Sequence, residues 1–153
     1  MTTSRMTVRL LSALTLTLTG VCAHAGLDEP VARIAQDQLA FKSAPARVTH
    51  AAAFDRHELL TTDGVNVHEF VGRNGRVFAV TFNGPAMPDL KVLLGGRFNE
   101  YAAAVHPSPS THKVYTHSSR TLELSIVKLP RGFAGSAFVP GAIPAGVTAR
   151  DLQ

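Results

Sequence analysis

Two glycine-containing dipeptides divide the middle of the chain into three short segments with β character. Asp63-Gly64 and Asn74-Gly75 separate residues 57–62, 65–71 and 76–82, which are rich in β-branched and aromatic side chains. Both central residues of a type I′ hairpin turn adopt positive φ, and Asp-Gly and Asn-Gly tolerate this best. The sequence therefore predicts a meander of three antiparallel strands.

A helix is predicted on each side of this meander. Residues 28–42 form a short amphipathic pattern, with Asp28 as the predicted N-cap and Pro30 in the first turn. Residues 89–104 carry apolar side chains at steps of three and four, which predicts the main helix. The pair Gly95-Gly96 lies in its middle, and predicts either a close approach to a strand or a kink.

The remaining segments complete an α+β pattern. Residues 43–53 are interpreted as a linker or an irregular approach to the first strand, 106–111 as a loop, and 140–153 as a coil with one helical turn; strands are predicted at 114–117, 122–129 and 133–139. We predict an antiparallel sheet, made of the meander and two or three C-terminal strands, with the main helix packed on it. Residues 26–54 are predicted as N-terminal helix and linker, and residues 55–153 as the α+β domain.

The first 25 residues have the pattern of a signal peptide. Arg5 and Arg9 precede an uncharged apolar stretch over residues 10–21, and Ala23-His24-Ala25 is an A-x-A cleavage motif. The stretch is shorter than the roughly 20 residues of a membrane-spanning helix. We therefore expect cleavage after Ala25, export to the periplasm or the extracellular space, and no integral membrane anchor afterwards. The only cysteine, Cys22, then leaves with the leader, so no disulfide can form.

Charge and motifs exclude some classes of function. The formal net charge is +4, and the basic residues are scattered along the chain. Nucleic-acid binding usually needs a basic stripe, so we expect no nucleic-acid partner. No complete catalytic, metal-binding or nucleotide-binding motif is present, and we expect no cofactor.

Several fragments together resemble one known family. They are Val77-Phe78-Ala79-Val80, Asn83-Gly84-Pro85, Pro88-Asp89-Leu90, Leu93-Leu94-Gly95 and Ile143-Pro144-Ala145-Gly146-Val147. From about residue 55 to the C-terminus the chain resembles the bacterial exported family catalogued as domain of unknown function 2844. Phe82 stands where many relatives have Trp. The resemblance implies a small exported domain and brings no activity or catalytic residue.

Two glutamates are the candidate catalytic residues. If both meander turns are two-residue loops, Glu58 faces Glu69 on the apolar side of the sheet. Paired carboxylates repel, so one is pushed to a raised pKa, which is how acid/base pairs are built. A bulge that shifts the register, or a position at the rim of the sheet beside Arg56, is the structural alternative.

Other candidates are histidines and rigid loops. The same register makes His57 and His68 diagonal neighbours on the opposite face, where they would supply two of the three or four ligands that zinc requires. Met87 and Ile143 lie in short loops rich in proline, which suit contacts with a partner protein. The alternative is that these prolines only end strands and helices.

Three functional hypotheses follow. The first is an exported, non-catalytic binding or accessory protein that acts on a protein partner in the cell envelope. The second is a small hydrolase-like enzyme that uses Glu58 or Glu69 with a histidine. The third is a carrier of a metal or small ligand that uses His57 and His68. An apolar cavity under the main helix favours a carrier, a polar cleft around the glutamates favours an enzyme, and a convex surface favours a binding module.

Overall fold

The computed structural model describes residues 26–105 and 114–152. The predicted leader and the predicted loop at 106–111 lie outside this part of the chain. Seven strands form one antiparallel sheet with the order β1-β2-β3-β4-β7-β6-β5. The strands are β1 (Arg47–His50), β2 (Phe54–Leu60), β3 (Asn66–Gly72), β4 (Val77–Gly84), β5 (Val114–Ser118), β6 (Glu123–Leu129) and β7 (Gly132–Phe138). The predicted α+β class is confirmed.

Short helices accompany the sheet. They are α1 (Ile34–Ala40), α2 (Leu90–Leu94) and α3 (Phe98–Ala104), with 3-10 turns at Val31–Arg33, Gly95–Arg97, Pro140–Ala142 and Ala149–Leu152. Asp89 caps α2 by accepting a hydrogen bond from the Lys91 amide at 2.8 Å. Gly95 follows α2 with φ of +51°, a conformation that favours glycine. The glycine pair therefore marks a kink between α2 and α3.

The two faces of the sheet are covered by different elements. On one, which we call the helix face, the strands and the helices share a large apolar core; its buried members include Leu27, Ile34, Phe41, Leu59, Val67, Val80, Phe82, Leu93, Leu94, Leu124 and Ala137. The other, the open face, has a smaller cluster around Phe70 and Phe78. Residues 139–152, which we call the tail, cover this cluster with Ile143, Val147 and Leu152.

Residues 26–30, which we call the strap, pack against the core. The Leu27 amide donates to the Leu93 carbonyl at 3.1 Å, and the Asp28 amide donates to Val77 at 2.8 Å. The predicted N-cap role of Asp28 is wrong, because its φ is +69° and its carboxylate pairs instead with Arg76 and Arg97. Ion pairs between the strap and two later segments replace the expected local cap.

The predicted register of the first hairpin is wrong by one residue. The ladder ends at Leu60 opposite Asn66, so residues 61–65 form a five-residue loop instead of a two-residue turn. The buried Thr61 stabilises this loop, since its hydroxyl accepts a hydrogen bond from the Val65 amide at 3.0 Å. A shift of one residue moves every side chain of β2 to the other face. Leu59 is therefore buried, and Leu60, expected in the core, is 55% exposed.

The second hairpin follows the prediction for most of its length. Glu69 lies opposite Val80, and Val67 lies opposite Phe82, the register that a two-residue turn at Asn74-Gly75 gives. A two-residue turn at Asn74-Gly75 would pair Val71 with Phe78, but a bulge pairs Val71 with Val77 instead. Phe78 consequently packs in the open-face cluster and not in the core of the helix face.

Two further features differ from or extend the predictions. Residues 47–50, interpreted as part of a linker, form the edge strand β1, which pairs with β2. The long-range pairing of β4 with β7 joins the meander to the C-terminal hairpins in one sheet. This pairing brings side chains from distant parts of the chain onto the same surface.

Candidate functional site

One row of polar side chains crosses the open face on all seven strands. Each member lies directly opposite the next in the ladder, and the row reads Arg47, Glu58, His68, Thr81, Ser136, Ser125 and Thr116. Opposite residues in antiparallel strands project to the same face. The register alone therefore assembles a continuous polar stripe from residues up to about 90 positions apart in sequence.

The centre of this row is the floor of a groove. Its volume is about 410 Å³, within the range of roughly 300–1,000 Å³ that is usual for small-ligand sites. His68, Thr81, Ser136 and Ser125 supply the polar floor, and the lining is completed by Phe82, Asn83, Val127, Ala134, Gly135, Phe138 and Leu152. Leu152 belongs to the tail, so the end of the chain forms one wall of the groove.

A second, smaller hollow adjoins the groove towards strand β5. Its volume is about 140 Å³, and Ser125, Ser136 and Phe138 line both hollows. Thr116 and Glu123 extend the lining towards the edge of the sheet. The two hollows together suit an elongated ligand that lies across β4, β7 and β6.

The larger hollow is electrically neutral. Among the described residues that line it, none is Asp, Glu, Lys or Arg, and His68 is the only titratable group. Burial, assisted by the positive charge of Arg56, lowers the pKa of His68, whereas Glu58 acts in the opposite direction. His68 is therefore uncharged at neutral pH and can both donate and accept a hydrogen bond.

The row also places Glu58, His68 and Thr81 side by side. This order of carboxylate, imidazole and hydroxyl is the one that nucleophilic catalysis uses. Glu58, however, is paired with Arg56 at 2.5 Å, an interaction that leaves its carboxylate turned towards a cation. The predicted pairing of Glu58 with Glu69 is wrong, since His57 and not Glu58 lies opposite Glu69.

Glu69 lies on the helix face, where it meets a carboxylate that the sequence analysis missed. Glu69 is 0% exposed, and Asp37 of α1 is 1% exposed. Burial raises the pKa of Asp37 to about 6. Burial, followed by the hydrogen bond with Asp37, raises the pKa of Glu69 well above its usual range. The pattern gave a signal for this, because Asp37 falls on the same helical stripe as Ile34 and Phe41.

The histidines of the predicted metal site are on different faces. His68 belongs to the open face, whereas His57 lies opposite Glu69 on the helix face, so their predicted diagonal contact is wrong. The register shift that separates the glutamates separates these histidines too. Within residues 26–105 and 114–152, His, Asp and Glu form no group of three that could hold a metal ion.

The predicted contact loops have different environments. Met87 is 38% exposed and lines a hollow of about 280 Å³ beside Phe41 and Thr61. Ile143 packs against the aromatic cluster of the open face. Ile143 therefore holds the tail in place, and Met87 is the more exposed of the two.

A further polar cluster fastens α3 to the C-terminal hairpins. Glu100 accepts hydrogen bonds from Thr121 at 2.8 Å, from His117 at 3.3 Å and from Ser119. Serine and histidine both contact the carboxylate here and not each other, which differs from the geometry of a nucleophile activated by a base. The cluster, which we call the pin, attaches α3 to the hairpins, and no periodic pattern of residues predicts it.

Comparison with known proteins gives a family and no activity. The family model described as "Protein of unknown function (DUF2844)" matches residues 23–152. No curated protein and no solved structure gives a significant match to the chain. In the part of the chain that the structure describes, no helix has the length and apolar character needed to cross a membrane.

Proposed function

This chain belongs to the family of proteins of unknown function DUF2844, and we propose that it is an exported, non-catalytic protein that binds a short neutral saccharide in the groove of the open face. The observation that carries the proposal is the row of hydroxyl and imidazole groups at the floor of the groove on the open face. The targeting pattern of residues 1–25 supports export.

The lining matches the chemistry of a sugar. Thr81, Ser125 and Ser136 carry hydroxyl groups that donate and accept, as saccharide hydroxyls do. Phe138 and Leu152 present apolar surface, which suits the C–H face of a pyranose ring. Side-chain hydrogen bonds of the described residues fasten loops and helices elsewhere, and leave the three hydroxyls available to a ligand.

The uncharged lining of the groove favours some classes of small ligand over others. An anionic ligand would be expected to meet Arg or Lys, and a cationic ligand Asp or Glu, because a buried charge needs a partner. The larger hollow offers neither among its described residues. Neutral, hydroxyl-rich molecules therefore fit the groove better than phosphorylated or acidic ones.

Binding of named sugars tests the proposal. The chain without its leader is titrated with maltotriose, cellotriose and triacetylchitotriose, and the backbone amide shifts of β4, β7 and β6 are followed by NMR. We expect saturable shifts at Thr81, Ser125 and Ser136 with at least one of the sugars. Ser136→Leu, which fills the floor, abolishes them. Thr49→Val, on the same face but at the edge strand β1, leaves them unchanged.

Other results would redirect the proposal. If none of the neutral sugars shifts these amides, saccharide binding is wrong. If a protein recovered from the cell envelope protects them instead, the groove is a protein-binding surface. Intact mass of the chain from the periplasmic fraction tests export separately, and a chain that starts at Gly26 is the expected result.

A catalytic function is the second candidate, because Glu58, His68 and Thr81 are adjacent in the row. It predicts hydrolysis of an activated ester such as p-nitrophenyl acetate, lost in both His68→Gln and Thr81→Val. We rank it below binding since Arg56 holds the Glu58 carboxylate. Turnover that both variants abolish, with the fold intact by circular dichroism, would reverse this order.

A further inference from the structure

Two carboxyl groups from different elements meet inside the helix face. Asp37 comes from α1 and Glu69 from β3, and both side chains are buried. None of their four oxygens accepts a hydrogen bond from any other described group. The two carboxyls lie close enough for each to shift the pKa of the other. Such a pair is tolerable in an apolar core only while it holds a proton.

Helix α1 depends on this contact more than a longer helix would. It has seven residues, and a helix of that length is not stable alone in water. Its packing onto the sheet rests on Ile34 and Phe41, together with the Asp37 carboxyl between them. The rest of its surface is open, and Leu39 is 79% exposed. Repulsion between the two carboxylates therefore acts directly on the contact that holds α1.

Among the described residues, no positively charged group near the pair offsets the second negative charge that forms when both carboxyls ionise. Glu29 of the strap adds negative charge near Asp37. His57 of β2 lies opposite Glu69, and burial lowers the pKa of His57, so it is neutral at neutral pH. Strand β4 contributes the uncharged Val80. Helix α2, which contacts α1, contributes Leu93 and Leu94 to the same core, while its Lys91 is exposed to solvent.

We propose that Asp37 and Glu69 form a proton-dependent clasp that holds α1 on the sheet and releases it as the pH rises. The clasp is closed while at least one proton is shared between the two carboxyls. When both ionise, the two charges repel in a medium that solvates them poorly. Release of α1 uncovers the apolar helix face around Glu69, without disturbing the groove on the other side of the sheet.

The direction of the pH dependence of α1 docking follows from proton linkage. Both groups bind protons more tightly in the docked state than in the released state, so docking is strongest below their ordinary pKa values. It weakens as the pH rises, by about 100-fold per pH unit while release frees two protons and about 10-fold while it frees one. The first regime ends near pH 6, where docked Asp37 ionises. The second continues until docked Glu69 ionises.

Hydrogen exchange measured against pH tests the clasp. The chain without its leader is examined by mass spectrometry between pH 5 and 8, and protection factors are corrected for the intrinsic exchange rate. In the wild type, protection of amides in residues 34–42 is expected to fall by at least 100-fold, while β4 and β7 keep theirs. The double variant Asp37→Asn with Glu69→Gln, which cannot titrate but can still hydrogen-bond, is expected to show no such fall.

A matched control separates the clasp from general electrostatics. Glu58→Gln removes a carboxylate from the same hairpin on the opposite face, and keeps the wild-type pH profile. The clasp is refuted if protection of 34–42 is independent of pH in the wild type, or if the double variant retains the dependence. If the double variant does not fold, the wild-type protein alone tests the proposal. Local release of α1 is then refuted if α1 and the sheet lose protection at the same pH.

Discussion

The helix face and the open face are built by alternate residues of the same strands, yet other elements bury a much larger core on the helix face than on the open face. Under α1, even two carboxyl side chains, those of Asp37 and Glu69, are sealed from solvent. On the open face, the tail covers the aromatic cluster and leaves the polar row at Thr81 and Ser136 accessible. The comparison shows that coverage by other elements, more than the polarity of a side chain, decides whether that side chain destabilises the fold or is free to bind a ligand.

The sharpest comparison uses neighbours in β7. Ala137 faces the core and is 2% exposed, whereas Ser136 lines the groove. Ala137→Asp places an unpaired charge beside Val80 and Leu124, and is expected to destabilise the fold by about 4 kcal/mol or more. Ser136→Asp is expected to change stability by less than about 1 kcal/mol. Chemical denaturation checks both, and equal losses would contradict the assignment of the two faces.

Two glycines provide a comparison for which we expect a difference in stability of intermediate size. A Cβ on Gly135 would lie 2.5 Å from the ring of Phe82, so Gly135→Ala is expected to destabilise the fold by roughly 1–3 kcal/mol. A Cβ on Gly141, in the tail, would meet nothing within 4 Å. Gly141→Ala is expected to be neutral, or to stabilise by about 0.5 kcal/mol, because it restricts the unfolded chain. Melting temperatures of the two variants that shift together would refute this contrast.

The smallest effect concerns the pin between α3 and the C-terminal hairpins. Burial alone would raise the pKa of Glu100, but hydrogen bonds from Ser119, Thr121 and His117 outweigh it and lower the pKa. Stability from this group is therefore complete above its ordinary pKa and is lost as the pH falls through the lowered value. Glu100→Gln is expected to cost about 1 kcal/mol near pH 7 and less in acid. Urea unfolding at pH 7 and pH 3 tests this, and a loss that does not shrink in acid would contradict it.

Together, the clasp and the pin predict opposite pH dependences within one small domain. Raised pKa values at Asp37 and Glu69 weaken the helix face as the pH rises. The lowered pKa of Glu100 weakens the attachment of α3 as the pH falls. Measuring exchange in α1 and α3 over the same pH range would show whether the two attachments respond independently.

Local patterns in the sequence determined the elements. Apolar periodicity gave the main helix and its stripe, and the dipeptides Asp63-Gly64 and Asn74-Gly75 gave the meander. These features depend on residues close in sequence, so they can be read without knowing the fold. Only part of the candidate site could be predicted from such local patterns. His68 was predicted as a site residue, but Thr81, Ser125 and Ser136 were not.

Tertiary structure decided the register and the partners of the sheet. The five-residue loop, in which the buried Thr61 hydroxyl accepts a hydrogen bond, sets a register that places Glu58 and Glu69 on opposite faces. Pairing of β4 with β7 then joins Thr81 to Ser136, across more than 50 residues of sequence. The physical reason is that side chains alternate with a period of two along a strand, so a register shift of one residue moves every side chain of that strand to the other face. Which strands meet is set by long-range burial, which local patterns do not encode.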